Sequence, residues 1–146
     1  MTIDKFNSEG YYDPTSYEAL TQVHKEERAA DKKAVYLPLV YICSPYAGGV
    51  DHNVTNARRY SRFAVDNNAI SITPHLLFPQ FMDDSREEER ELAMHFNYVL
   101  LGKCKELLVC GGIVSRRMAR EIGLARKRRL KIKWFDHLMK EVEAYA

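Results

Sequence analysis

The sequence predicts an α/β protein with a doubly wound, Rossmann- or flavodoxin-like sheet, mainly parallel, of about four or five strands with helices on both faces. Three observations predict this class. Short apolar runs alternate with segments of helical periodicity, as in consecutive β-α-β units. Glycine-bearing turns follow two of these runs, where such folds connect a strand to a helix. The 146 residues, 46% of them hydrophobic, suffice for one domain with a substantial core.

Residues 1–33 are interpreted as an N-terminal arm, and residues 34–146 as the α/β domain. In the arm, a capping-box pattern of Thr15 and Glu18 predicts a helix over about 16–31. In the domain, apolar and β-branched runs predict strands, while capping residues and apolar stripes predict helices. The predicted strands cover 39–43, 70–73, 106–110 and 130–134, and the predicted helices cover 53–67, 85–101, 115–128 and a last segment after Asp136.

The spacing of apolar residues also predicts which side chains point into the core. One predicted helix opens with a capping box of Ser85 and Glu88. Its predicted inward residues are Leu92, Phe96, Val99 and Leu100. Those of the next helix are Ala119, Ile122 and Ala125. The connection over 75–84 is unusually apolar for a loop, so we expect it to pack inward as well.

Glu121 is the only acidic residue between Ser115 and Phe135, a stretch that also carries nine lysines and arginines. Nearby positive charge favours the ionised form of a carboxylate, so we expect Glu121 to stay ionised well below neutral pH. It lies on a helix after a strand and a Gly-Gly turn, an arrangement that α/β proteins use for anionic sugar ligands. The competing interpretation is an exposed ion pair with Arg117, one turn earlier.

Further candidate site residues follow the ends of predicted strands, where ligands bind in this fold class. The turn after the first strand offers the hydroxyl of Ser44, the ring of Tyr46 and the open backbone of Gly48. An ordinary strand-to-helix turn has a similar composition. His75 follows the second strand and is expected at the mouth of a pocket. Ser115 begins a helix, where it either caps that helix or also faces an anion.

Composition and motifs argue against several functions. The sequence has neither a Walker A motif nor a GxGxxG fingerprint, so a P-loop or dinucleotide site is not supported. Three cysteines without a CxxC pair or clustered histidines argue against zinc, and we expect no metal and no cofactor. No apolar run is long enough for a membrane span, and no signal peptide is visible. Together with the odd number of cysteines, this predicts a cytoplasmic protein.

Four motifs occur in order along the domain, at Val40–Ala47, Asn53–Tyr60, Thr73–Phe81 and Ser115–Glu121. In these motifs the chain resembles the nucleoside 2-deoxyribosyltransferase-like superfamily, and within it a largely uncharacterised branch common in bacteria and their phages. The resemblance covers roughly residues 35–135. The superfamily includes deoxyribosyltransferases, as well as hydrolases that cut the N-glycosidic bond of nucleoside monophosphates.

The resemblance implies a role for each candidate residue. Glu121 would attack the anomeric carbon, and Ser115 would help to hold the 5′-phosphate. The residues that would contact the rest of the substrate are Ser44, Tyr46 and Gly48 at the phosphate or sugar, and Tyr46 and His75 on the base side. The chain departs from the superfamily's pattern at two positions. Arg117 replaces a glycine, and Asn97 stands where a second carboxylate assists the leaving base.

Three hypotheses follow. The first is an N-glycosidase or deoxyribosyltransferase-like enzyme that acts on a nucleoside 5′-monophosphate or a nucleoside through Glu121. The second is a non-catalytic protein that senses or sequesters a nucleotide-derived ligand, which Arg117 and Asn97 favour. The third, nucleic-acid binding through the basic stretch, is disfavoured because no aromatic platform is interleaved with the charges. The resemblance also implies a homo-oligomer, a dimer or larger.

Overall fold

The sequence divides into two compact units between Tyr36 and Leu37. The structure, a computed structural model, describes Lys5, residues 14–33 (only the backbone of 31–33) and residues 36–145. The first unit contributes helix α1, Pro14–Lys33. The predicted arm helix is therefore present. It begins at Pro14, a residue favoured in a first turn, so Thr15 lies inside the helix and not before it as its cap.

Five strands form one mostly parallel sheet, which confirms the predicted α/β class. The strands are β1 Leu39–Cys43, β2 Ile70–Ile72, β3 Glu106–Val109, β4 Lys131–Phe135 and β5 Glu141–Val142. Their order is β2-β1-β3-β4-β5, with the first four parallel and β5 antiparallel to β4. Strands β1 and β3 lie inside the sheet, and their apolar runs are therefore buried on both faces.

The helices of the domain pack against alternate side chains of the strands. They are α2 Val50–Asp66, α3 Pro74–Leu77, a 3₁₀ turn at Phe78–Gln80, α4 Glu87–Leu101 and α5 Arg116–Lys127. Tyr60 and Ala64 of α2 share a buried cluster with Val40 and Ile42 of β1. Residues of α4 and α5 share a second cluster with the other side chains of β1: Tyr41, Cys43, Leu101, Met118 and Ile122.

The predicted helix after Asp136 is wrong. The Asp136 carboxylate accepts hydrogen bonds from the backbone amides of Leu138 and Lys140, at 2.9 and 3.0 Å, which closes a turn instead of starting a helix. The chain then returns as β5 along β4. The hydroxyl of Tyr145 bonds to the carbonyl oxygens of Val109 and Phe135 and so fastens the last residues to the sheet.

The predicted core face of helix α4 is only partly right: Phe96 and Leu100 are half-buried, and Leu100 packs against the core. The helix begins at Glu87, because the Ser85 hydroxyl bonds to Asp83 and not to the helix. Leu92 and Val99, predicted to point inward, are 44% and 47% exposed. The buried residues of α4 are Asn97 and Leu101. Leu101 packs against the sheet and so determines which face of α4 points inward. Asn97 lies one turn before Leu101 on the same face and is therefore buried as well.

The prediction is also partly wrong for α5 and for the connection before α4. Ile122 and Ala125 are buried as predicted, but Ala119 is exposed while Met118 and Glu121 are buried. In the connection, His75 is buried. However, Leu77 and Phe81 are 50% and 67% exposed. None of the helices in the described part of the chain combines the length and apolar content needed to cross a bilayer.

Two turns at the centre of the sheet touch each other, and this contact depends on a glycine. Gly111 follows β3 with φ of 106°, and a Cβ atom there would lie 2.7 Å from Cδ of Pro45, which follows β1. Left-handed strain and overpacking together predict that Gly111→Ala lowers the free energy of unfolding by about 2–4 kcal/mol. Urea unfolding at constant pH would measure the change.

Two other glycines are matched controls for this substitution. Gly112 also has positive φ, 77°, but no atom within 4 Å of an added Cβ, so its replacement by alanine should cost only about 1 kcal/mol. Gly123 lies inside α5 with no atom nearby, so Gly123→Ala should stabilise the protein by about 0.5–1 kcal/mol. Equal losses at Gly111 and Gly112 would contradict the importance of the contact with Pro45.

Candidate active site at the carboxyl edge of the sheet

Most of the predicted site residues follow the carboxyl ends of three adjacent strands. Ser44 follows β1, His75 follows β2, and Ser115 follows the turn after β3. Since β1 pairs with both β2 and β3 in parallel, these three connections emerge at the same edge of the sheet. Ligands of parallel α/β sheets bind at this edge.

Ser44 and His75 form a buried hydrogen-bonded pair. The Ser44 side chain is fully buried and His75 is 6% exposed. Ser44 Oγ and His75 Nε2 lie 2.8 Å apart. Burial, and to a lesser degree the charge of Arg117, lowers the pKa of His75 to about 3. His75 is therefore neutral at physiological pH. It lies after the end of β2, as expected, and is buried against Ser44.

The turn that contains Tyr46 and Gly48 is braced from helix α2. Asn53 Nδ2 donates to the carbonyl oxygens of Tyr46 and Ala47, at 2.9 and 3.1 Å. Gly48 has φ of 81°, a left-handed conformation that L-residues rarely adopt. The half-buried ring of Tyr46 meets the ring of His75 edge-on, with centroids 6.4 Å apart. Tyr46 is thus joined to the Ser44–His75 pair, and Gly48 shapes the turn that carries Tyr46.

Ser115 caps helix α5, the structural role that the sequence offered for it. Its Oγ accepts a hydrogen bond from the backbone amide of Met118, at 3.3 Å. The Ser115 amide in turn faces the sulfur of Met118, at 3.5 Å. The hydroxyl proton of Ser115 is still available for an external acceptor, because a hydroxyl can donate while it accepts.

Glu121 points into the core and not toward solvent. Its side chain is 0% exposed, and its Oε1 pairs with Arg117 Nη1 at 2.8 Å. Arg117 Nη2 also donates to the backbone oxygen of Ser44, at 2.6 Å. The ion pair expected one turn earlier on the helix is therefore present. It is buried, however, and its arginine connects α5 to the end of β1.

The expectation that Glu121 has a lowered pKa is wrong. Burial raises the pKa of this carboxyl, and the opposing influence of the Arg117 charge does not cancel that effect. Seven of the nine lysines and arginines that surround Glu121 in sequence are exposed. Their charges are screened by water, whereas Glu121 faces the core from helix α5.

Tyr41 lies beside Glu121, and the sequence interpretation missed it. Burial and the Glu121 charge both raise the pKa of the Tyr41 hydroxyl. A side-chain hydrogen bond between the two groups also influences the pKa of each, although Tyr41 Oη and Glu121 Oε2 lie outside strict hydrogen-bonding geometry. In the sequence, Tyr41 is typical of a core aromatic residue because it lies in a continuous apolar run. The one signal was a hydroxyl within an otherwise fully apolar strand.

Buried polar atoms without a partner are concentrated in the predicted site. Among the described residues, these atoms are Tyr41 Oη, His75 Nδ1, Asn97 Oδ1 and Glu121 Oε2. Folded proteins rarely leave such atoms unpaired, so each of them calls for a partner such as a ligand, an ordered water or a neighbouring polar group. Three of the four belong to one group, because Arg117 acts electrically on His75 and Tyr41 and pairs with Glu121. Asn97 is buried on α4 without a hydrogen bond to this group.

A small pocket opens next to the site but does not reach the carboxylate. It has a volume of about 200 Å³ and lies between the turns after β1 and β3. Its lining residues are Pro45, His52, Asn53, Asn56, Tyr60, Gly111 and Ile113. In the described ranges no group of three or more histidine, cysteine, aspartate or glutamate residues is placed to hold a metal ion. In this conformation, a ligand in the pocket would not touch Glu121.

Comparison with known families returns one match. A comparison with curated proteins finds no match to this chain. The profile of a family described as a domain of unknown function, DUF7768, matches residues 38–135, which include strands β1 to β4, the Ser44 turn and Glu121. Because this match spans more than half of the sequence, the chain belongs to the DUF7768 family.

Proposed function

We propose that this protein is an N-glycosidase or deoxyribosyltransferase-like enzyme that acts on a nucleoside 5′-monophosphate or a nucleoside, with Glu121 as the nucleophile. The observation that carries the proposal is the group of polar side chains gathered around the buried Glu121 at the carboxyl edge of the sheet, namely Tyr41, Arg117, Ser44 and His75. The strand order and the two buried clusters support a doubly wound, flavodoxin-like fold for this site.

The chemistry of a glycosidic bond gives these groups complementary roles. As the base leaves, the sugar carbon acquires positive charge, which an ionised carboxylate can stabilise or bind covalently before water or another base displaces it. Tyr41 would orient Glu121, whose Oε2 is the oxygen not engaged by Arg117. Ser44 and His75 would contact the substrate beside it, and Ser115 would bind the phosphate.

A base-release assay tests this proposal. We expect the protein to release free base from at least one nucleoside monophosphate or nucleoside, as detected by chromatography. Glu121→Gln should lower the rate by a factor of at least about a thousand, because an amide cannot act as the nucleophile. Glu106→Gln is the matched control, since Glu106 pairs with Lys133 at 3.5 Å outside the site. Release that persists in Glu121→Gln would remove the proposed mechanism.

One observation favours the second candidate, a non-catalytic nucleotide-binding protein. The Glu121 side chain is fully buried and paired, so in this conformation it does not face a ligand. Tight binding of a nucleotide, measured by calorimetry, without base release from any substrate would support the binder and contradict the enzyme.

We also propose a cytoplasmic homo-oligomer. The three cysteines are free and buried, which fits a reducing compartment. Large apolar side chains are exposed on the α/β unit at Phe81, Leu92 and Val99. Such exposure fits a contact surface between copies of the protein. Light scattering coupled to gel filtration should give a mass of at least twice 17.0 kDa. A monomer at the highest soluble concentration would contradict this.

A further inference from the structure

We infer that Arg117 is a cover over Glu121 that the phosphate group of a nucleoside 5′-monophosphate releases, so that the site selects phosphorylated substrates over nucleosides. This inference rests on the proposed function for its substrate, but the movement of Arg117 can be tested without catalysis. The first reason is position. Arg117 is 23% exposed whereas Glu121 is 0% exposed, so an anion from solvent can contact the arginine but not the carboxylate.

The second reason is the way in which Arg117 is held. Its two terminal nitrogens bond to different partners, Glu121 Oε1 at 2.8 Å and the Ser44 backbone oxygen at 2.6 Å. A guanidinium fork fits a phosphate with two parallel bonds, and such charge-assisted pairs are among the strongest hydrogen bonds in proteins. A phosphate can therefore replace both partners of Arg117 at once.

The third reason is that the entrance to this side chain attracts anions. Arg117 lies in the first turn of α5, next to backbone amides that have no intrahelical acceptor and to the Ser115 hydroxyl. The exposed face of α5 carries Arg116, Arg120, Arg126 and Lys127, which form no salt bridge among the described residues. Glu121 is the one acidic residue of the helix, and it faces inward.

Charge balance explains why phosphate would matter for selectivity. In the closed site, Arg117 and Glu121 neutralise each other. When a phosphate pairs with Arg117 in place of Glu121, the carboxylate becomes free to stabilise the positive charge that develops on the sugar. A nucleoside must separate the buried pair without supplying a new anion, which predicts that kcat/KM for the monophosphate exceeds that for the nucleoside by about a hundredfold or more.

The alternative is that Arg117 is a permanent tie between α5 and the end of β1. The two possibilities differ in the titration of Glu121, whose neighbouring charged and titratable groups are Arg117, Tyr41 and Cys43. Departure of Arg117 removes a positive neighbour and so raises the pKa of the carboxyl. If Arg117 stays paired with Glu121, the pKa of Glu121 does not change when an anion is added.

Carbon-13 NMR of the side-chain carboxyl can follow this titration in the intact protein. The Glu121 resonance is identified by its loss in Glu121→Gln. We expect saturating inorganic phosphate to move the titration midpoint upward by about one pH unit or more, while chloride at equal ionic strength leaves it in place. Arg62→Met, at an exposed arginine of α2 outside this charged face, should respond as the wild type does. In Arg117→Met the midpoint should be high already and unaffected by phosphate.

Arg117→Lys provides a second variant if Arg117→Met does not fold. One ammonium cannot hold Glu121 and the Ser44 oxygen in the same fork, so we expect the preference for monophosphate over nucleoside to fall below about tenfold. If saturating phosphate does not move the titration midpoint of Glu121 in the wild type, Arg117 is not a phosphate-released cover, even if base release is observed. Equal kcat/KM values for monophosphate and nucleoside would also overturn it. A phosphate-dependent midpoint without base release would support the cover and contradict only the enzyme.

Discussion

Arg117→Met is expected to lower the free energy of unfolding by about 3–5 kcal/mol at pH 7, because it leaves the Glu121 carboxylate buried without its partner. The carboxyl group is 0% exposed, so water cannot take the place of the lost arginine. Urea unfolding of both proteins at pH 7 would measure the loss. Much of it should be recovered in the double variant Arg117→Met/Glu121→Leu, where an apolar side chain replaces the charge.

The chain contains a matched control for this substitution. Arg62 and Asp66 form an ion pair with the same four-residue spacing and the same 2.8 Å separation, but with side chains that are 73% and 55% exposed. Arg62→Met should therefore change the free energy of unfolding by less than about 0.5 kcal/mol. Similar losses for the two arginine variants would show that burial does not govern the Arg117–Glu121 pair.

His75 is expected to make the fold sensitive to mild acid. Its pKa of about 3 in the folded protein lies below the ordinary value of 6.5, because burial disfavours the charged ring. Below pH 6.5 the unfolded chain takes up a proton that the folded protein does not. The stabilisation is thus complete above pH 6.5 and is lost as the pH falls toward 3.

His75→Gln isolates this effect, since its amide can still bond to Ser44 but does not titrate. Between pH 7 and pH 5, the free energy of unfolding of the wild type should fall by about 2 kcal/mol relative to that of His75→Gln. The raised pKa of Glu121 acts in the opposite direction, because ionisation above its ordinary value of 4.5 destabilises the fold, but it is common to both proteins. His95→Gln, at an exposed position, should track the wild type. Parallel curves for wild type and His75→Gln would contradict the prediction.

The order of strands and helices in the domain could be predicted because it depends on local patterns. The apolar run of β1 gave its bounds correctly, and the Ser115 cap placed the start of α5. The return of the chain as β5 could not be predicted in this way. Asp136 can begin a helix or close a turn with the same side chain, and the choice depends on the free edge of β4, which is a tertiary feature.

The orientation of the site residues was harder to predict than their positions in the chain. The isolated Glu121 was identified from the charges around it in sequence, but its environment is set by which side of α5 faces the sheet. That side also buries Met118 and leaves Ala119 exposed, so helix rotation reversed the expected pKa shift. Tyr41 and the Ser44–His75 contact join residues that are distant in sequence, and no local spacing encodes them.

Trp134 gives this protein an internal optical reporter. It is the only tryptophan of the chain, and its ring lies edge-on to that of Tyr145, with centroids 5.0 Å apart. Because the Tyr145 hydroxyl holds the end of the chain to Val109 and Phe135, the emission of Trp134 follows whether these last residues are docked on the sheet. Fluorescence can therefore time the closing of this edge during refolding without any added label.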